Sequence, residues 1–191
     1  YLLETFHGPT GSFKDFGARF LAECLQVIRR GKAKSTILVA TSGDTGSAAI
    51  EACKCRENID IFILHPEGRT SEIQRRQMTT VDAENVHNIS IQGSFDDCQD
   101  LVKLMFSDID FRNNHNLSAV NSINWVRIMA QVVYYFTSAV ALGAPDKKIS
   151  YAVPTGNFGD VFAGYVAKKM GLSIERLIVG TNANDILTRF F

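Results

Sequence analysis

Residues 35–66 read STILVATSGDTGSAAIEACKCRENIDIFILHP, and the order of patterns within them decides the fold. STILVAT, Ser35 to Thr41, is a short apolar run of the kind buried on both faces of a parallel sheet. TGSAAIEACK then carries a helix pattern, and IDIFILHP, Ile59 to Pro66, is a second buried run. Strand, helix and strand joined by short turns is the repeating unit of a parallel sheet covered by helices. An α/β fold with open, mainly parallel sheets flanked by helices is therefore expected.

The same alternation extends in both directions. A helix from about Asp15 to Arg30 ends at Gly31, a residue that easily takes the left-handed conformation after a helix. Ser71 with Gln74, and Ser94 with Asp97, have the spacing of capping boxes that open two further helices. VHNISIQ between them alternates like a strand. Beyond, LSAV precedes a long helix, ISYAVP and ERLIVGT read as strands, a helix from Gly159 to Met170 ends at Gly171, and NANDILTRFF follows. Five or six strand-like runs result. The polar stretch DIDFRNNHN, residues 108–116, is the expected domain seam or long loop.

With 46% hydrophobic residues in 191, the chain can bury a sizeable core. Lys plus Arg number 20 and Asp plus Glu 20, which removes the broad basic footprint of a nucleic-acid binder or polybasic membrane module and favours a small-molecule partner. Cys24, Cys53, Cys55 and Cys98 lack the two-residue spacing of zinc or redox motifs, so reduced thiols in a cytoplasmic protein are expected. The apolar stretch Ile123 to Leu142 contains Arg127 and Gln131, as a core helix does and a membrane span does not. The chain opens on YLLETFHGP without methionine and reads as a fragment.

Chemistry gathers at two glycine loops, ATSGDTGSAA and PTGNFGDVFAG, each just past a strand and at the start of a helix. Open parallel sheets present their ligands there, where glycine permits close backbone approach and the first helical amides attract an anion. A third element, GPTGSFKDF, sets Lys14 behind a turn and at the start of a helix. It is either an ordinary first-turn charge or a nucleophile aimed into a pocket. Phe13 stands where a nucleotide P-loop needs glycine before its lysine, so that reading fails. The signatures of a dinucleotide site, a serine esterase and a zinc protease are absent, and no metal is expected.

FHGPTGSFKDF, TSGDTGSAA, NSINWVRIMAQ and PTGNFGD, in this order, resemble the threonine synthases, pyridoxal phosphate enzymes of the tryptophan synthase beta-like group (fold type II). The resemblance covers essentially the whole chain and implies that residues 1–191 are the cofactor-binding core of a longer, two-domain enzyme. It makes Lys14 the lysine that forms the Schiff base with pyridoxal 5'-phosphate and later the catalytic base. It implies that Gly156, Asn157, Phe158, Gly159 and Asp160 cradle the cofactor phosphate and that Asp44 neighbours the ring's phenolic oxygen. Ser42, Gly43, Thr45 and Gly46 fall where the substrate carboxylate binds, and Asn121, Ser122, Asn124 and Arg127 near the substrate phosphate. The implied reaction turns O-phospho-L-homoserine and water into L-threonine and phosphate. The alternatives are a phospho-lyase of the same scaffold, releasing phosphate, ammonia and 2-oxobutanoate, and a non-catalytic relative that binds a phosphorylated metabolite.

Overall fold

The computed structural model describes residues 1–121, 124–154, 158–183 and 186. Its contacts divide the chain into two units, Glu4–Asn124 and a second made of Trp125–Phe191 with Tyr1–Leu3. In the first unit the elements run α1 (Lys14–Ile28), β1 (Ser35–Ala40), α2 (Asp44–Cys53), β2 (Ile59–Pro66), α3 (Glu72–Thr79), β3 (Val86–Ile91), α4 (Phe95–Ser107), α5 (Ile109–Asn114) and β4 (Leu117–Ala119). All strand pairs are parallel and their order is β3-β2-β1-β4.

The two central strands are the two apolar runs. Ile37 of β1 and Ile59, Ile61 and Ile63 of β2 are completely buried, each stabilising the sheet by about 1.5–3 kcal/mol relative to exposure. Ser35 pairs with Ile59 and Ala40 with Leu64, so β1 and β2 begin level, β2 runs on two residues to Pro66, and the loop after Ala40 leaves at the carboxyl edge of the sheet. The edge strands are weaker: β3 is only half-buried, and β4 spans three residues. Short or polar edges resist pairing with another chain.

Helix starts follow side-chain chemistry. Ser94 and Asp97 form the reciprocal box, with Asp97 N–H donating to Ser94 Oγ at 3.2 Å and Ser94 N–H to Asp97 Oδ2 at 2.6 Å. The Ser71 box is half-formed. Gln74 N–H donates to Ser71 Oγ at 3.3 Å, but the Gln74 side chain accepts from the Ser71 hydroxyl at 3.0 Å instead of turning back to the backbone. The stretch 108–116, expected as a seam or long loop, lies inside the first unit, where Asp108 caps α5 by accepting from Phe111 N–H at 2.9 Å; the division by contacts falls after Asn124.

The second unit contains α6 (Trp125–Ala141), β5 (Ile149–Pro154), α7 (Gly159–Lys169) and β6 (Ile174–Gly180), with β5 and β6 parallel. One face of α6, Ile128, Val132, Tyr135 and Ala139, packs with Val153, Val161, Ala163, Ala167 and Ile174. Gly164 of α7 faces the Tyr135 ring so closely that a Cβ there would lie 2.6 Å from it. Arg127 and Gln131 are 1% and 3% exposed, so this helix buries two polar residues along with the apolar ones of its packed face. Among the described residues, no helix is long and apolar enough to cross a membrane.

Candidate active site

The turn before α1 is organised by a carboxylate. Asp15 is buried, and it accepts from Thr10 N–H at 3.0 Å and from the Thr10 hydroxyl at 2.5 Å. Gly8 has to lack a side chain, because a Cβ there would collide with this carboxylate. Gln77 of α3 donates to the Thr10 carbonyl at 3.0 Å, and Ser12 Oγ accepts from Lys14 N–H at 3.2 Å. The turn is thus tied to α1 on one side and to α3 on the other. Lys14, the first residue of α1, extends Nζ to within 2.7 Å of Asp44 Oδ1. Its side chain is 11% exposed, whereas that of Asp44 is 41% exposed.

Asp44 opens α2 directly beyond the carboxyl end of β1, which is how two residues far apart in sequence come to share a charge pair. Ser42 is exposed, Thr45 half-buried, and Gly43 and Gly46 are buried. Thr41 controls this loop: its Oγ1 accepts from the N–H groups of both Gly43 and Gly46 at 3.0 Å. Two of the backbone donors expected to meet a ligand are therefore already used, and the N–H groups of Asp44 and Thr45 remain without an acceptor among the described residues. A cleft of about 470 Å³, bordered by Phe6, Thr10, Phe13, Asp44, Gln74 and Gln77, opens beside the charge pair.

The other expected residues fall in several places. Asn121 is exposed after β4, and Asn124 closes a turn on it, with its N–H donating to Asn121 O at 3.2 Å and Nδ2 to Ala119 O at 3.3 Å. Arg127 belongs to the second unit, on α6. Ser122, Gly156 and Asn157 lie outside the described residues. Phe158 precedes α7 in the left-handed conformation, with φ of 61°, and Gly159 and Asp160 start that helix.

Asp160 is held by a residue no sequence pattern indicated. The Tyr135 hydroxyl donates to the Asp160 carbonyl at 3.0 Å and lies 3.3 Å from its carboxylate. Tyr151 in turn donates to the Tyr135 carbonyl at 2.9 Å. Burial pushes the Asp160 carboxyl above its ordinary value of 3.8, and the Tyr135 bond opposes that rise. Burial also drives the Tyr135 hydroxyl upward, so it stays a donor. A carboxyl whose pKa is raised in the folded state binds its proton more readily there than when unfolded. Stability is then lost as pH rises from the unfolded value through the folded one. Tyr135→Phe should extend that loss to higher pH and cost about 1–3 kcal/mol by leaving the buried carboxyl without its donor. Urea unfolding of the full-length protein at a series of pH values measures both effects.

All four cysteines are free, and burial pushes the Cys53 thiol up to about 12. Among the described residues, no group of three or more His, Cys, Asp or Glu could hold a metal ion. The site offers a shielded primary amine, Lys14, paired with a carboxylate, Asp44, that lines a cleft at the carboxyl edge of a parallel sheet. Such an amine is suited to condense with a carbonyl cofactor.

The chain belongs to the pyridoxal-phosphate dependent enzyme family, whose model matches residues 1–191. Its similar relatives narrow the comparison to threonine synthases. The chain is 58% identical over 192 residues to threonine synthase of Pseudomonas aeruginosa, covering 100% of this chain and 41% of that protein. It is 50% identical over 201 residues to the Saccharomyces cerevisiae enzyme, covering 100% of this chain and 39% of that protein. A pyridoxal phosphate-bound threonine synthase structure from Brucella melitensis matches with a TM-score of 0.90 at 61% identity, over 97% of this chain and 40% of that one. The Escherichia coli structure matches at 0.89 and 44% identity, over 98% of this chain and 44% of that one. The chain thus spans about two fifths of the length of these relatives. A pyridoxal phosphate-dependent aspartate racemase, 17% identical with a TM-score of 0.66, shares the fold alone.

Proposed function

We propose that this chain is the cofactor-binding core of a cytoplasmic threonine synthase that converts O-phospho-L-homoserine and water to L-threonine and phosphate. The observation that carries the reading is the Lys14–Asp44 pair at 2.7 Å, with the amine shielded and a cleft beside it. The residues present suit the cofactor: Lys14 supplies the amine that attaches it and Asp44 stands next to that amine, and Gly156, Asn157, Phe158, Gly159 and Asp160 are assigned to its phosphate. When bound, pyridoxal phosphate withdraws electrons from the α carbon of the substrate, so that its proton can be removed.

The protein's own part is positioning and proton transfer. Lys14 takes the α proton of the substrate and carries protons between neighbouring carbons, which requires a neutral amine at a fixed distance. The Asp15–Thr10 clamp aims it, and Asp44 fixes its conformer between transfers. The loop Ser42 to Gly46 receives the substrate carboxylate through the N–H groups of Asp44 and Thr45. Asn121, Ser122, Asn124 and Arg127 are assigned to the substrate phosphate, where a guanidinium suits a dianion. Phosphate departs from the γ carbon and water adds at the β carbon, so one water is consumed for each phosphate released.

Incubating the full-length, cofactor-loaded protein with O-phospho-L-homoserine tests this reading. Equimolar L-threonine and phosphate are expected. Ammonia and 2-oxobutanoate in place of threonine would mark a phospho-lyase, and failure to develop cofactor absorbance would mark a non-catalytic relative.

A further inference from the structure

Helix α3 meets the start of α2 through two contacts that differ in kind. Met78 is completely buried, and its sulfur fills the space where a Cβ on Gly46 would lie, 2.6 Å away. One turn earlier, the Gln74 amide lies against Gly43, where a Cβ would collide with it. Both glycines therefore make room for α3, and α3 is seated over the Ser42 to Gly46 loop by close packing. Gln77 has a structural task, since its Nε2 donates to the Thr10 carbonyl at 3.0 Å. Gln74 has only half of one: its Oε1 accepts from the Ser71 hydroxyl at 3.0 Å, but its Nε2 donates to no acceptor among the described residues.

That Nε2 belongs to a side chain lining the same cleft as Asp44. The Ser71 hydroxyl holds the carbonyl end, so the amide cannot turn freely. Among the described residues lining the cleft, Asp44 is the charged one, and its charge is already paired with Lys14 at 2.7 Å. Neutral donors suit a singly charged carboxylate, whereas a dianionic phosphate calls for a guanidinium or a free ammonium.

We propose that Gln74 is a substrate-positioning residue whose Nε2 donates a hydrogen bond to the carboxylate of the amino-acid substrate, beside the N–H groups of Asp44 and Thr45. This inference rests on the assignment of the Ser42 to Gly46 loop to that carboxylate. It explains why a short helix is docked so closely on two glycines: the donor must reach over the loop to the cleft.

The test compares two ligands on the full-length, cofactor-loaded protein, read by the change each causes in cofactor absorbance. L-Threonine carries the carboxylate, and 1-amino-2-propanol is the same amine without it. Gln74→Met keeps the volume and removes the donor. It should weaken L-threonine about tenfold, the loss of one hydrogen bond to a charged group, and leave 1-amino-2-propanol unchanged. Gln74→Glu sets a negative charge against the carboxylate and should weaken L-threonine further. Gln74→Asn, which draws the amide back by one carbon, gives the same ligand-selective loss should the methionine variant fail to fold. Unchanged L-threonine affinity, or equal weakening of both ligands, would overturn the proposal. A parent protein that does not prefer L-threonine to 1-amino-2-propanol would overturn the carboxylate assignment of the loop itself, an outcome visible before any variant is made.

Discussion

Lys14→Ala is expected to leave the full-length protein folded, colourless in the presence of pyridoxal phosphate, and inactive. The mutation removes an amine that is 11% exposed and 2.7 Å from Asp44. Asp44, at 41% exposure, stays solvated when its partner leaves, so the lost charge pair contributes no more than about 1 kcal/mol. The functional loss is much larger, because covalent attachment of the cofactor and proton transfer both depend on this one amine. Turnover should fall by about 10⁴-fold or more. Borohydride reduction of the parent protein followed by peptide mapping should place the cofactor on Lys14. Attachment at Lys103, which pairs with Asp100 on an exposed face of α4, or at Lys147 would remove the assignment.

Asp15→Ala should lower both stability and rate, through one clamp. The Asp15 carboxylate takes the N–H and the hydroxyl of Thr10 together, inside a turn that Gly8 leaves room for. Hydrogen bonds to a charged group stabilise by about 1.5–3 kcal/mol each, and these two share one partner, so a combined loss of about 2–4 kcal/mol is expected. Release of the turn also frees the start of α1, where Lys14 sits. A displacement of about 1 Å at a reacting group costs roughly a hundredfold in rate. Turnover should therefore fall while cofactor absorbance persists, and Asp15→Asn, which retains one acceptor, should fall less. An Asp15→Ala protein with reduced denaturant resistance but unchanged turnover would show that the clamp supports the turn without aiming Lys14.

Much of the scaffold was legible because its signals are local. Runs such as IDIFILHP are apolar over the length of one strand, and β2 spans Ile59–Pro66 as read. The Ser94–Asp97 box is a contact between residues three apart, so spacing alone reveals it. Ser71 and Gln74 show the limit of that reasoning. Their spacing marked the helix start correctly, but the same spacing gave no sign that the Gln74 side chain would turn away from the backbone and lie against Gly43.

By itself the sequence determined the alternation of strands and helices, the glycine loops at strand ends, and Lys14 at a helix start, each of which depends on residues within one or two turns of one another. Tertiary structure decided what those parts do to each other. The order β3-β2-β1-β4 sets Thr36 beside Leu117, a pairing between residues far apart in the chain. Thr41 takes two amides of the glycine loop that the sequence left open to a ligand. Tyr135 reaches Asp160 across 25 residues, and Lys14 reaches Asp44 across 30. Such contacts leave no periodic trace, because a side chain's partner across the fold is fixed by packing and hydrogen-bond satisfaction after the chain has closed on itself.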